Sequence, residues 1–336
     1  MKQKLLWIIF ALTTAAYGAT SNADAPGSPE LKPAQQEAQA AHMASELLSR
    51  FHYKKLPLDS ALSEKIFDQY LKAMDPEKLF FVQADIDRIS TDRARLGDAI
   101  LKEELDIPYA IFNRYTQRAA ERFTYARTLL KGGFDFRQDE SFQYARDKAE
   151  WAGSEAEMRE LWRKRVKNDW LRLKLAGKDD KSIVSVLDKR YENSLKRIGQ
   201  VKSPDVFQTF MNAYTMAIEP HTNYLGPRAA ADFDISMRLS LVGIGATLAE
   251  VDDFTTIREL IPGGPASLSG QLQIGDRIVG VAQGESGKMT DVLGWRLDDT
   301  VALIRGKMDS VVVLDVLPAE AGPDAQHKLV GIPVLR

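Results

Sequence analysis

Three short segments carry the residues whose types and spacing could do chemistry. Residues 241–246 read Leu-Val-Gly-Ile-Gly-Ala, 262–266 read Pro-Gly-Gly-Pro-Ala, and 274–281 read Ile-Gly-Asp-Arg-Ile-Val-Gly-Val. A Gly-x-Gly turn lets several backbone N–H groups point at one place, where they can hold an anion such as a terminal carboxylate. A strand following the turn can accept an extra strand by main-chain hydrogen bonds, reading only alternate side chains. Gly243, Ile244, Gly245 and Ala246 are therefore the expected grip, with Leu241 before them and Leu248 beyond on the strand. Leu297 and Val301 lie four apart on an expected helix, so they share a face and could line an apolar pocket. As plain core residues they would show the same spacing.

Other chemistries find no support in the residues. His42, His52, His221 and His327 show no metal-ligand spacing, and the absence of cysteine excludes thiolate metal sites and disulfides. No Gly-x-Ser-x-Gly, phosphate-cradling Gly-Lys-Ser/Thr loop or dinucleotide fingerprint occurs, so no cofactor, metal or catalytic residue is expected. His221 sits in a turn-rich stretch, 220–225, where a structural hydrogen bond outweighs catalysis. The basic stretch 155–178 includes Trp162 and Trp170, but both fall on its apolar stripe. With a net charge of −2, the chain reads there as an amphipathic helix and not as a nucleic-acid surface.

The elements that must position the grip follow from periodicity. Lys2 and Lys4 precede an apolar run at 5–12 and then small residues, the pattern of a secretory signal peptide over 1–23. This implies export to the periplasm, with no stable membrane insertion after cleavage. Prolines at 26, 29 and 33 mark a flexible linker over 24–40. From 41 to 228 the pattern is helical. Ser154-x-x-Glu157 is a capping box ahead of Met158, Trp162, Val166, Trp170 and Leu173, and Gly177 supplies a stop. A second stripe runs Ile183, Leu187, Tyr191, Leu195 and Ile198, and Ser203-Pro204 reads as an N-cap with proline at the first helical position. Residues 101–130 read as one or two helices interrupted near Pro108. At about 233 the period becomes two: Ile235, Met237, Leu239 and Leu241 alternate with polar residues as in a half-buried strand. Further strands are expected at 244–250, 255–260, 278–281 and 311–317, with short helices at 266–271 and 297–305. The fold class is thus α+β and multidomain, a helical domain (41–228) followed by a small β-rich module with two helices (233–320).

These motifs together resemble a PDZ domain, a module that binds free carboxyl ends. Residues 74–81 (Met-Asp-Pro-Glu-Lys-Leu-Phe-Phe), 220–227 (Pro-His-Thr-Asn-Tyr-Leu-Gly-Pro) and 291–299, with Gly-Trp-Arg-Leu-Asp-Asp, extend the likeness. The chain resembles the N-terminal part of bacterial tail-specific proteases, also called C-terminal processing peptidases. The resemblance implies a periplasmic serine endopeptidase with a Ser/Lys dyad, whose PDZ domain recognises the apolar C-terminus of unfolded or tagged proteins. It implies too a helical domain that can dock an adaptor. The family's nucleophile segment lies beyond the PDZ module. The chain reads as a truncated or split member, with 321–336 leading toward a protease domain, so binding without hydrolysis is expected. A stand-alone PDZ adaptor or decoy is the alternative reading, and hydrolysis by an unrecognised site a third. After Lys328 a strand starts, and Pro333 disfavours its continuation as a central one.

Overall fold

The computed structural model describes residues 30–238, 243–251, 253–319, 321 and 326–335. The expected signal peptide, and Leu239 and Leu241 of the expected strand and grip, lie outside them. Among the described residues no helix is long and apolar enough to cross a membrane.

The helical domain runs α1 (Gln35–Phe51), α2 (Ser60–Met74), α3 (Gln83–Ile89), α4 (Leu96–Leu101), α5 (Asp106–Leu129), α6 (Glu155–Leu175), α7 (Asp180–Gly199), α8 (Ser203–Ile218) and α9 (Pro227–Arg238). Two apolar cores share α5. One joins α1, α2, α4, α5 and α8 through Ile66, Phe67, Tyr70, Phe210 and Tyr214, with Tyr70 edge-on to Phe210. The other joins α5, α6 and α7 through Trp162, Val166, Trp170, Ile183, Leu187 and Tyr191. Both tryptophans are buried, as their place on the stripe requires. The segment 74–81 links the cores. The Asp75 carboxylate accepts the backbone N–H groups of Leu79, Phe80 and Phe81 at 2.7, 2.9 and 3.0 Å, and the Trp162 indole donates to the Leu79 carbonyl at 2.6 Å. Burial pushes the Asp75 carboxyl up, against the pull of those three donors.

Local signals behave as their chemistry dictates. The Ser154 hydroxyl accepts the Glu157 N–H at 3.2 Å, the Glu157 carboxylate accepts the Gly153 N–H, and Gly177 stands at φ +81° after α6. Four expectations are corrected. The linker expected over 24–40 is helical from Gln35, where α1 begins and Ala38 packs into the core. The helix α5 is not interrupted at Pro108, because the proline sits in the first turn, where an intrahelical N–H is not needed. The N-cap of α8 is Lys202 and not Ser203, and the oxygen that caps it comes from Asp205, which accepts the Lys202 N–H at 2.9 Å. Residues 235–238 are helical: α9 starts at Pro227, runs through three alanines and carries the chain past the short alternation.

The second module is one antiparallel sheet with two short helices. Its elements are β1 (Ala246–Val251), β2 (Phe254–Leu260), α10 (Pro265–Ser269), β3 (Arg277–Gln283), β4 (Thr290–Asp291), α11 (Leu297–Ile304), β5 (Val311–Leu317) and β6 (Lys328–Pro333). The strand order is β1-β2-β3-β5-β6, with β4 paired to β3. Ile257, Ile278, Val281, Val312, Leu314, Val316, Val330 and Ile332 form the core. Strand β6 comes from the segment expected as a tail beyond 320, and it pairs with β5 from Val316↔Lys328 to Val311↔Pro333. Pro333 closes a strand at the end of this order, where its missing N–H is tolerated. Beyond it, Leu335 and Gly243 exchange two hydrogen bonds, 2.9 and 3.1 Å, so the chain's last described residue stitches the far side of the sheet to the start of the expected grip.

Candidate peptide-end site

The two glycines of the grip have different duties. Gly243 has its N–H and C=O engaged by Leu335, so it anchors the loop and does not offer a free donor. Gly245 makes the turn, with φ +71°. A Cβ there would lie 2.9 Å from the Cα of Gly264 and 3.1 Å from Cδ of Pro265. The 262–266 segment therefore packs directly behind the loop. It also takes up the loop's inward carbonyls: Ala266 N–H donates to Ile244 O at 2.8 Å, and Ile261 N–H to Gly245 O at 2.9 Å. In a trans peptide the N–H points opposite to the preceding carbonyl. With the carbonyls of Gly243, Ile244 and Gly245 taken by Leu335, Ala266 and Ile261, the N–H groups of Ile244, Gly245 and Ala246 each point away from those partners. Those of Ile244 and Gly245 have no acceptor among the described residues. By the alternation of an antiparallel ladder, the next residue, Ala246, turns its own N–H to the side away from β2. Three successive N–H groups at the head of β1 are thus turned away from the loop's internal partners. The Ile244 side chain is buried in the module core and pins the loop.

Strand β1 pairs with β2 on one side and stands at the end of the strand order, so from Ala246 onward its other edge is open among the described residues. Helix α11 packs against β1 and β3. Its two faces are distinct. Thr300 and Ile304 are buried, the latter in the core, whereas Leu297 and Val301 are half-buried and outside the core cluster. Leu248 and Ala246 pack partly against the core from the strand side. The result is a trench with an open strand edge, N–H donors at one end and an apolar wall opposite. Such an edge is of the kind that can take an added strand, and such donors the kind that can take a carboxylate.

Sequence reasoning named Gly245, Ile244, Ala246, Leu248, Leu297 and Val301; the structure places the first four at the head of β1 and along it, and the last two on α11, which packs against β1. Gly243 sits one step behind. Gly264 and Leu335 were missed as its supports, although the Pro-Gly-Gly-Pro-Ala string was a usable signal for the first. His221 donates its backbone N–H and presents Nδ1 to the Glu219 carboxylate at 2.9 and 2.6 Å, inside the turn that follows α8. Those contacts hold Glu219 below the ordinary carboxylate range.

An open-edged strand headed by a Gly-x-Gly donor loop, with a helix across from it, defines a PDZ module, here carried on a helical domain. Sequence comparison agrees in both parts: residues 43–228 match the tail specific protease N-terminal domain, and 233–317 match the PDZ domain. The chain belongs to the tail-specific protease family. It is 40% identical over 284 residues to the tail-specific protease of Haemophilus influenzae, spanning 84% of this chain and 41% of that protein. It is 35% identical over 104 residues to the carboxy-terminal processing protease CtpA of Bacillus subtilis, spanning 31% of this chain and 21% of that protein. The chain thus covers less than half the length of either relative. Among solved structures, the PDZ domain of a carboxy-terminal protease from Vibrio cholerae, in complex with peptide, is 54% identical. The match covers 28% of this chain and 94% of that one, with a TM-score of 0.27.

Proposed function

We propose that this chain is the substrate-recognition portion of a periplasmic tail-specific serine endopeptidase, and that it holds target proteins by their apolar free C-termini. The observation that carries the reading is the pair of unengaged N–H groups on Ile244 and Gly245 at the head of the open β1 edge. A terminal carboxylate is the group that such donors fit, and the half-buried Leu297 and Val301 supply an apolar wall for the side chains beside it. Its targets are proteins whose last residues are apolar and unfolded, because an added strand must be extended to pair. The leader over 1–23 delivers the protein to the periplasm.

Titrating an apolar-ended peptide against the same peptide with an amidated C-terminus tests the grip. Removing a charged acceptor forfeits about 1.5–3 kcal/mol, so the amide should bind roughly tenfold or more weakly. Equal affinities would overturn the reading. An affinity difference without cleavage of a denatured protein by the purified chain is the pattern expected of a recognition portion.

A further inference from the structure

The string Gly294-Trp295-Arg296-Leu297-Asp298-Asp299 is not explained by the trench alone, since only Leu297 faces it. Gly294, Arg296 and Asp299 meet the helical domain. Lys202 is the N-cap residue of α8 and Asp205 the third residue of that helix; Arg296 and Asp299 hold the same two places in α11. The charges cross. Arg296 Nη1 binds Asp205 Oδ2 at 2.5 Å, and Lys202 Nζ binds Asp299 Oδ2 at 2.6 Å. Each helix therefore lends the carboxylate of its first turn to the cation that opens the other. Arg228, at the start of α9, adds a second cation to Asp299 at 3.0 Å. Gln200 reinforces the junction, its amide donating to Gly294 O at 3.1 Å and its carbonyl accepting from Arg296 at 3.3 Å.

The opposite rim is tied to the same place. Lys196, near the end of α7, binds Glu250 of β1 at 3.2 Å and also the carboxylate of Asp253 in the β1–β2 turn. Gly294 N–H donates to Asp253 O at 2.9 Å, joining that turn to the start of α11. So β1 and α11, the two walls of the trench, are both fastened to the α7–α8 junction. The gap between those walls must admit one extended strand and its side chains. Helix α11 has only eight residues and is held to the core at its C-terminal end, by Thr300, Leu303 and Ile304, so its N-terminal end depends on other contacts for its place.

We propose that the helical domain sets the width of the trench, with Lys196 and Lys202 as positioning residues for the bound peptide end, acting through β1 and α11. The inference rests on the trench being the peptide site. A single exposed ion pair does little, but here several are cross-linked with backbone hydrogen bonds to both walls.

The test uses the full chain and an apolar-ended peptide with its amide as control. Lys196→Met with Lys202→Met should weaken the free-acid peptide by about fivefold or more, while Lys196→Arg with Lys202→Arg, which keeps both cations, should stay within about twofold of wild type. Thermal unfolding checks that each variant is folded, and Asp299→Asn offers a second way to loosen the same rim. The inference is overturned if the Met pair binds as tightly as wild type, or if the Arg pair loses as much as the Met pair. A wild-type chain that discriminates acid from amide alongside an unaffected Met pair sinks only the positioning role. A wild-type chain that does not discriminate sinks the trench reading, and this inference with it.

Discussion

Gly245 and Gly264 pass back to back, so close that a Cβ on the first would lie 2.9 Å from the Cα of the second. Gly245 also has φ +71°, so a side chain there meets both a steric wall and an unfavourable backbone region. Gly245→Ala should cost about 1–3 kcal/mol of module stability and displace the donor loop, abolishing discrimination between free-acid and amidated peptides. Chemical denaturation and the same peptide titration check the two effects. Unchanged discrimination in a folded variant would count against the loop.

The faces of α11 separate binding from folding. Ile304 is buried in the core, and Ile304→Ala should destabilise the module by about 2–4 kcal/mol. Val301 is only half-buried, so Val301→Ser should leave the midpoint of unfolding nearly unchanged while weakening apolar-ended peptides. If Val301→Ser instead destabilised as much as Ile304→Ala, Val301 would be a core residue and not a pocket wall.

Asp299 connects the rim to pH. Burial alone would raise its carboxyl, but Lys202 and Arg228 together hold it below the ordinary value. A carboxylate with a depressed folded value contributes stability that is fully present above the unfolded value of about 3.9 and lost as pH falls through the lower folded one. Following the Asp299 carboxyl by NMR should give a midpoint below that of a model aspartate, moving upward in the Lys202→Met, Arg228→Met variant. An unmoved midpoint would mean the cations do not engage it.

Asp85 performs a larger service inside the helical domain. Its side chain is 3% exposed and takes Arg114 Nη2 at 2.6 Å and Arg118 Nε at 2.8 Å, joining α3 to α5. Burial opposes its charge, and the two guanidiniums more than compensate, so its carboxyl lies below the usual range. Asp85→Ala removes the carboxylate that the two guanidiniums share, while Arg118 keeps Glu121 and Glu155, and should cost about 1.5–3 kcal/mol, measured by urea unfolding of the full chain. A loss under about 1 kcal/mol would show the network to be well solvated.

What could be read from the residues was mostly local. The Ser154 box, the buried stripe through Trp162 and Trp170, and the strand at 311–317 depend on neighbours within a few positions, and all appear as expected. The end of the helical domain did not: alternation at 235–238 is outweighed by a helix already nucleated at Pro227. Half of the site was legible for the same reason, since Gly245, Ala246 and Leu248 lie on one short stretch and Leu297 and Val301 on one helix. Its supports were not. Gly264 stands behind Gly245 across a whole hairpin, Leu335 closes on Gly243 from the other end of the module, and Lys202 finds Asp299 across a domain boundary. No spacing rule reports such encounters.

The meeting of Gly243 with Leu335 has a mechanical meaning. Six paired positions hold β6 to β5, but a lone bridge with two hydrogen bonds holds Leu335 to Gly243. Tension drawn through residue 335 would load that bridge well before it strained the ladder. It would slacken the loop that presents Ile244 and Gly245 while leaving the sheet whole. A seam of one bridge thus lies beside the grip, where a pull on it would be felt as a loosened hold.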